Sequence, residues 1–436
     1  MVHYNCGMNA ICLVFDRLQA GFLGAYGNTW IETPSFDRLA SQSFLFDQAL
    51  IDSPRLDRLY RSYWQGRHAL CPDALPGQNL SLAAMLRDLG VTSALLTDEP
   101  QVARHPLAVD FDDLVEIDPP WQPQNARKID ATHFGRCFVE MIQWLESATG
   151  PFMLWCHLGG LGTTWDAPLS FRRSYQDEGD PPPPEGADVP DRMLPTDYDP
   201  DELLGITQAY SGQVTMLDTC LGAFLEFLDG LPGRDETLLT VTSSRGFPLG
   251  EHGRVGPCDE ALFSELVHVP WMMRFPDAAH AAMRSQAPVE PSDLWATLLD
   301  WWNIGASLKG DSPHFADTKN GTVPNTKNGT VPISPTGGSV LPLIRQEAVA
   351  LRDRLCIGGN NAQRAIRSPA WYLRAGSDPE LFAKPDDRWE INNVASRCQE
   401  VVEDLQDVLT QYELALPDGR ISDLPLLSDM LLKGLE

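Results

Sequence analysis

The stretch that most constrains this chain is Asn9-Ala10-Ile11-Cys12-Leu13-Val14-Phe15-Asp16, a short apolar run that closes on an acid. Uninterrupted apolar residues without polar alternation belong to a strand covered on both faces, and such strands occur in parallel sheets with helices above and below. Functional side chains in these sheets stand just past the strand's carboxyl end, which makes Asp16 the first candidate. The rest of the chain keeps to this plan. Spacing predicts helices over 35–41, 81–89, 131–145, 201–228 and 292–302, with Ser35 as the N-cap of the first and Gly90 and Gly230 as stops. Between them lie short apolar runs over 43–49, 91–96, 152–157, 237–242 and 269–275 that read as strands. Such alternation predicts an α/β fold with a doubly wound, mostly parallel sheet. Residues 174–199, polar and carrying Pro181-Pro182-Pro183-Pro184, read as an exposed extended excursion.

Beyond residue 302 the rhythm breaks. Thr318-Lys319-Asn320-Gly321-Thr322-Val323-Pro324 recurs as Thr326-Lys327-Asn328-Gly329-Thr330-Val331-Pro332, two copies at a period of eight. Two copies are too few for a solenoid, and the Asn-Gly and Pro punctuation marks a turn-rich linker. The expected division is a large α/β domain over 1–310, a linker over 311–337 and a smaller C-terminal α+β domain over 338–436. In the last, 338–343, 365–373 and 380–382 read as short strands and turns ahead of a helix over 398–414. A chain of 436 residues with 43% hydrophobic content is long enough to give both units a core.

A net charge of −27 excludes nucleic acid as an expected partner, because a phosphate backbone is bound by clustered Lys and Arg. No run approaches 18 apolar residues, so no membrane span is expected. The nine cysteines are scattered, odd in number and free of C-x-x-C spacing, which fits a reduced compartment and gives no zinc site. Met1-Val2-His3-Tyr4-Asn5-Cys6-Gly7 lacks the basic start and apolar block of a secretory signal, so the expected location is cytoplasmic.

Leu23-Gly24-Ala25-Tyr26-Gly27-Asn28 and Thr33-Pro34-Ser35-Phe36-Asp37-Arg38-Leu39-Ala40 follow the first strand. Ser53-Pro54-Arg55-Leu56-Asp57-Arg58-Leu59-Tyr60 then precedes Gly66-Arg67, and Thr242-Ser243-Ser244-Arg245-Gly246-Phe247-Pro248-Leu249-Gly250-Glu251-His252-Gly253 closes a later strand. In order and spacing these segments resemble the sulfatase family, within the alkaline phosphatase superfamily. The resemblance implies that family's fold and its chemistry, metal-assisted attack on a tetrahedral ester by a formylglycine made from Cys or Ser, with calcium or magnesium held by carboxylates.

Carried over residue by residue, the family's functional positions have changed. Its two consecutive metal-binding acids fall on Asp16 and Arg17. Aligned on Gly66-Arg67 without a gap, the nucleophile falls on Leu56, the motif's Pro on Arg58 and its Arg on Tyr60. A second register that keeps Pro54 places Asp52 at the nucleophile, and neither Leu nor Asp can become formylglycine. The metal-binding Asp of the later motif falls on Ser244, its Asn or His neighbour on Arg245, and the catalytic Lys on Pro257. The catalytic His falls on Gly162, and the Lys and His expected after the third strand are met by Thr97-Asp98-Glu99-Pro100.

A divalent cation needs several oxygen ligands and little positive charge beside it. With Arg17 and Arg245 near the vestigial Asp16, the expected charge is reversed, and neither a metal nor a formylglycine cofactor is expected. Two roles for the arginines stay open. They form a structural ion pair that plugs the site, or they join Arg58 and His252 in an anion pocket for sulfate, phosphate or carboxylate. Asp57, Arg58 and Arg61 read as a solvated helix face at its rim. The expected function is a catalytically inactive sulfatase-like pseudoenzyme that binds a small anion or a protein partner. The alternatives are a hydrolase using a non-standard nucleophile or base from Asp52, Ser53, Ser62, Ser244, His157 or His252, and a structural partner subunit.

Overall fold

The structure is a computed structural model and describes residues 8–72, 81–121, 123–231, 233, 236–257, 261–304, 336–360 and 362–434. The seven-residue repeat, and nearly all of the expected linker around it, lie outside the described residues. The strands of the larger unit are β1 (Asn9–Phe15), β2 (Phe44–Phe46), β3 (Thr92–Thr97), β4 (Asp113–Glu116), β5 (Phe152–Leu158), β6 (Arg192–Met193), β7 (Thr237–Thr242), β8 (Arg254–Val255), β9 (Trp271–Arg274) and β10 (Met283–Ser285). Eight of them form one sheet in the order β10-β2-β9-β7-β1-β5-β3-β4, and β6 pairs with β8 separately.

Within the large sheet β1 runs parallel to both β5 and β7, while β9 runs against both β7 and β2. The carboxyl ends of β1, β2, β3, β5 and β7 therefore meet at one edge. The apolar run of β1 is buried on both faces because its alternate side chains enter different layers. Ala10, Cys12 and Val14 pack with the helices Leu56–Gln65 and Pro291–Trp301, whereas Ile11, Leu13 and Phe15 pack with His133–Ser147 and Pro200–Gly230. The larger of these side chains, Ile11, Leu13, Val14 and Phe15, each contribute about 1.5–3 kcal/mol by leaving water.

The smaller unit is a four-stranded antiparallel sheet, β11 (Leu355–Gly358), β12 (Arg364–Arg367), β13 (Trp371–Ala375) and β14 (Glu380–Ala383), backed by the helix Gln399–Ala415. Its β11 edge is tied to the large domain, where Gly358 N donates to Asp52 O at 2.8 Å and His68 Nε2 donates to Cys356 O at 3.0 Å.

Two local expectations are corrected. Ser35 is not an N-cap, since the first helix spans Pro34–Ser41 with Thr33 at the cap position, and the Ser35 and Phe36 amides are taken by the carboxylate of Asp218 at 3.1 and 2.8 Å. Residues 338–343 hold no strand. Pro342 starts a helical turn, Leu341–Ile344, and the preceding amides of Gly338 and Val340 donate to Asp293 and Thr297 rather than to a neighbouring strand. The strand β11 was not among the expected elements.

Candidate functional site

Asp16 leaves the carboxyl end of β1, held by its amide to Leu158 O at 2.9 Å. The loop after β7 brings Ser244 and Arg245 onto it. Ser244 Oγ donates to Asp16 Oδ1 at 2.6 Å, Arg245 Nε donates to the same oxygen at 2.9 Å, and Arg245 Nη2 donates to Oδ2 at 2.5 Å. This is the two-pronged guanidinium–carboxylate pair that Arg forms and Lys cannot. Arg17 Nε stands 3.8 Å from Asp16 Oδ2, and Arg245 Nη1 also reaches Pro54 O at 3.3 Å. Asp16, Arg17 and Arg245 are 3, 3 and 7% exposed, so the pair is sealed from water. Burial resists ionisation of Asp16 most strongly, but the Arg245 and Arg17 guanidiniums together outweigh it and hold the carboxyl well below the usual range.

The backbone at Arg17 is held in an unusual conformation. Arg17 has φ +69°, an uncommon conformation for a residue with a Cβ, and its carbonyl accepts from Tyr210 Oη at 2.6 Å. Its aliphatic stem crosses Gly162, where an added Cβ would lie 2.9 Å from Arg17 Cγ. Gly162 thus leaves room for the aliphatic stem of Arg17.

Leu56 opens the helix Leu56–Gln65 and is 2% exposed, in the apolar layer of that helix. One turn on, Tyr60 Oη lies 2.6 Å from His157 Nδ1. Burial pushes the Tyr60 phenol up and the His157 imidazole down, so the phenol donates to a neutral ring. Gly66 ends the helix at φ +64° against Trp295.

The other sequence candidates have their own partners. Ser62 Oγ donates to Asp52 and also lies 2.8 Å from Arg67 O, and Asp52 Oδ2 accepts from the Ala69 amide at 2.8 Å. Burial pushes Asp52 up to about 6. Ser53 Oγ accepts from the Arg55 amide at 3.2 Å. Arg58 and His252 make their contacts away from Asp16. Arg58 Nη1 lies 3.5 Å from Cys71 O and its Nε 3.8 Å from Asp57, whereas His252 Nδ1 lies 2.6 Å from Glu265 Oε1 and stacks on Phe263 at 3.5 Å. Pro257 follows Gly256, and its carbonyl accepts from Arg254 Nη2 at 3.1 Å. The structure therefore brings together Asp16, Arg17, Gly162, Ser244 and Arg245, with Arg58 and His252 elsewhere.

The donor set at Asp16 does not match a hard divalent cation. Both oxygens of its carboxylate accept from Arg245, and the positions beside it carry two guanidiniums rather than the six or so oxygens that calcium or magnesium requires. Leu56 has no heteroatom to convert into formylglycine.

Sequence reasoning missed a second group near this edge. Asp98, past β3, accepts from His133 Nε2 at 2.6 Å and from the Gly159 amide at 2.6 Å, and Cys137 Sγ lies 3.8 Å from the same imidazole nitrogen. Among the described residues these three side chains form the one group with ligand atoms close enough to share an ion, of the mixed N, O and S type that suits zinc. The four-residue spacing of His133 and Cys137 on one helix face was the available signal.

A family model described as Sulfatase matches residues 8–304. Over 340 residues the chain is 22% identical to iduronate 2-sulfatase of Homo sapiens, a match covering 62% of this chain and 60% of that protein. The Mus musculus iduronate 2-sulfatase is likewise 22% identical, over 370 residues, covering 68% of this chain and 65% of that protein. The chain thus spans less than two thirds of the length of these curated relatives. Among solved structures, the phosphonate monoester hydrolase of Agrobacterium radiobacter superposes with a TM-score of 0.70 at 17% identity, covering 96% of each chain. That of Silicibacter pomeroyi gives 0.70 at 16% identity, covering 95% of this chain and 97% of the other. At these identities the structural likeness shows the fold alone.

Proposed function

The chain belongs to the sulfatase family, and from that premise we propose that it is a member without the family's ester hydrolysis, a pseudoenzyme whose fold serves binding. The observation that carries this reading is the clamp of Arg245 on both oxygens of Asp16. In a working site those oxygens hold the cation that polarises the ester and steadies the developing charge. Here a fixed guanidinium occupies them, and Leu56 offers no electron pair for attack. Loss of a nucleophile alone costs several orders of magnitude in rate, and the metal set is altered as well.

Of the two roles considered for Arg17 and Arg245, the plug is better supported than the anion pocket. Arg245 is committed to Asp16, the trio is buried, and Arg58 and His252 have other partners. A hydrolase with a different nucleophile has less support. Asp52 and Ser62 are 1 and 0% exposed and bonded to each other, Ser244 is bound to Asp16, and His157 to Tyr60. The seven described cysteines are all free, which favours a reducing, cytoplasmic setting. No helix of the described residues is long and apolar enough to cross a membrane.

The test is turnover. Purified protein supplied with calcium or magnesium is expected to release no product from an aryl sulfate, an aryl phosphate monoester or an aryl phosphonate monoester above the buffer rate. Saturable turnover that disappears in Asp16→Ala would overturn the proposal.

A further inference from the structure

At the carboxyl end of β2, a cleft of about 360 Å³ opens between the large domain and the small one. Its size falls in the range of small-molecule sites. Arg284 lines it from the large domain, and Arg367, Lys384 and Arg388 line it from the small domain. Two carboxylates, Asp47 and Glu265, also line it, so in a chain of net charge −27 the lining still carries more cations than anions.

Two of the four cations are already balanced. Arg284 pairs with Asp47 at 3.1 Å and Lys384 with Glu390 at 2.8 Å. Arg367 and Arg388 have no carboxylate partner among the described residues. Arg367 Nη1 donates to the carbonyls of Ser368 at 2.8 Å and Trp371 at 3.3 Å, and Arg388 lies over the ring of Trp389, 5.1 Å from its centre. Burial outweighs the attraction of the Glu390 carboxylate and pushes the half-buried Arg367 guanidinium down to about 10. His268 shows that the cations converge. Burial first, then Arg388, Arg367 and Lys384, push its imidazole down to about 4, so it adds no charge of its own at neutral pH. Trp389, 54% exposed at the rim, adds an apolar face.

We propose that this cleft binds a compact oxyanionic molecule, a carboxylate or phosphate compound, through Arg367 and Arg388 with its body against Trp389. Planar guanidinium groups recognise oxyanions by paired hydrogen bonds, and a partly desolvated pair strengthens each contact. A ligand here touches both domains and stabilises their contact. The assignment goes beyond the loss of hydrolysis and stands whether or not the Asp16 site turns over.

The test uses citrate and inorganic phosphate as probes, with sodium chloride at matched ionic strength as reference, followed by thermal unfolding and titration calorimetry. At least one probe is expected to raise the melting temperature in a saturable way. Arg388→Gln, on an exposed loop where folding is not at risk, is expected to weaken that probe about tenfold, and the double variant with Arg367→Gln further. Arg254→Gln, which removes a cation that does not line the cleft, is expected to leave the affinity unchanged. Citrate alone, or phosphate alone, identifies which oxyanion the cleft prefers, and either supports the proposal. Stabilisation by neither probe beyond sodium chloride, or an affinity unchanged in Arg388→Gln, overturns it.

Discussion

Two buried charge clusters in this protein use the same ingredients in opposite proportion. At Asp16, one carboxylate meets two guanidiniums. Behind it, at the seam between the domains, the carboxylates of Asp52, Glu290 and Asp293, 0–2% exposed, share one guanidinium and the imidazole of His68. Arg352 clamps Asp293 from both nitrogens, one at 2.5 Å, and reaches Glu290 only at 3.6 Å. Burial pushes Glu290 up to about 7 and Asp52 to about 6, whereas the cations hold Asp16 down. The ratio of charges therefore decides which cluster is fixed and which titrates. In the cation-rich cluster the two guanidiniums favour the ionised form of Asp16. The acid-rich one gains and loses protons near neutrality.

The largest effect expected from this contrast is on stability. Arg245→Met leaves a buried carboxylate without its two-pronged partner and is expected to cost about 3–5 kcal/mol in urea unfolding. The double variant Asp16→Leu/Arg245→Met should cost less than the single one, because no buried charge is stranded. A single-variant cost below about 1 kcal/mol would break the comparison.

Arg352→Met is expected to cost about 3 kcal/mol at pH 8 and less at pH 5.5. At the lower pH Glu290 is protonated and needs the cation less. An equal cost at both would show that the second cluster does not titrate. Next comes Gly162→Ala, where the new Cβ meets the Arg17 stem 2.9 Å away, for about 1–3 kcal/mol.

The pH profile gives a smaller signal with a definite sign. Glu290 and Asp52 have folded values of about 7 and 6, above those of an unfolded carboxyl near 4. Their contribution is fully present below about pH 4 and lost as pH rises through 6 to 7. His268, held down to about 4, acts in the other direction, costing stability as pH falls from about 6.5 to 4. Asp16 contributes above about pH 4 and changes nothing between 5 and 8. Glu290→Gln should therefore flatten the loss of stability between pH 5 and 8, whereas Asp16→Asn should lower the whole profile without changing its slope there. The smallest expected effect is that of Arg58→Gln, within about 1 kcal/mol, because its contacts to Cys71 O at 3.5 Å and Asp57 at 3.8 Å are long.

The fold of the large domain was legible because its central strands β1 and β5 are largely apolar runs and each long helix has an apolar face. Asp16, Arg17, Ser244 and Arg245 could be read as neighbours from the spacing of two motif frames, and they are in contact. The titrating cluster could not be read in this way. Arg352 and Asp293 lie 59 residues apart with no motif between them, and their meeting depends on how the small domain docks. The oxyanion cleft escaped for the same reason, with Arg284 and Arg388 contributed by different domains. Ser35 was misread because the acid that takes its amide, Asp218, lies on a distant helix rather than in the local turn.

Metal content measures the central claim most directly, namely that guanidiniums stand where the family's cation would. Protein purified without chelator, incubated with calcium and magnesium and then desalted, is to be analysed by inductively coupled plasma mass spectrometry beside Asp16→Ala. The account predicts far less than one equivalent of either metal in both proteins. One equivalent in the unmodified protein that disappears with Asp16→Ala would contradict it.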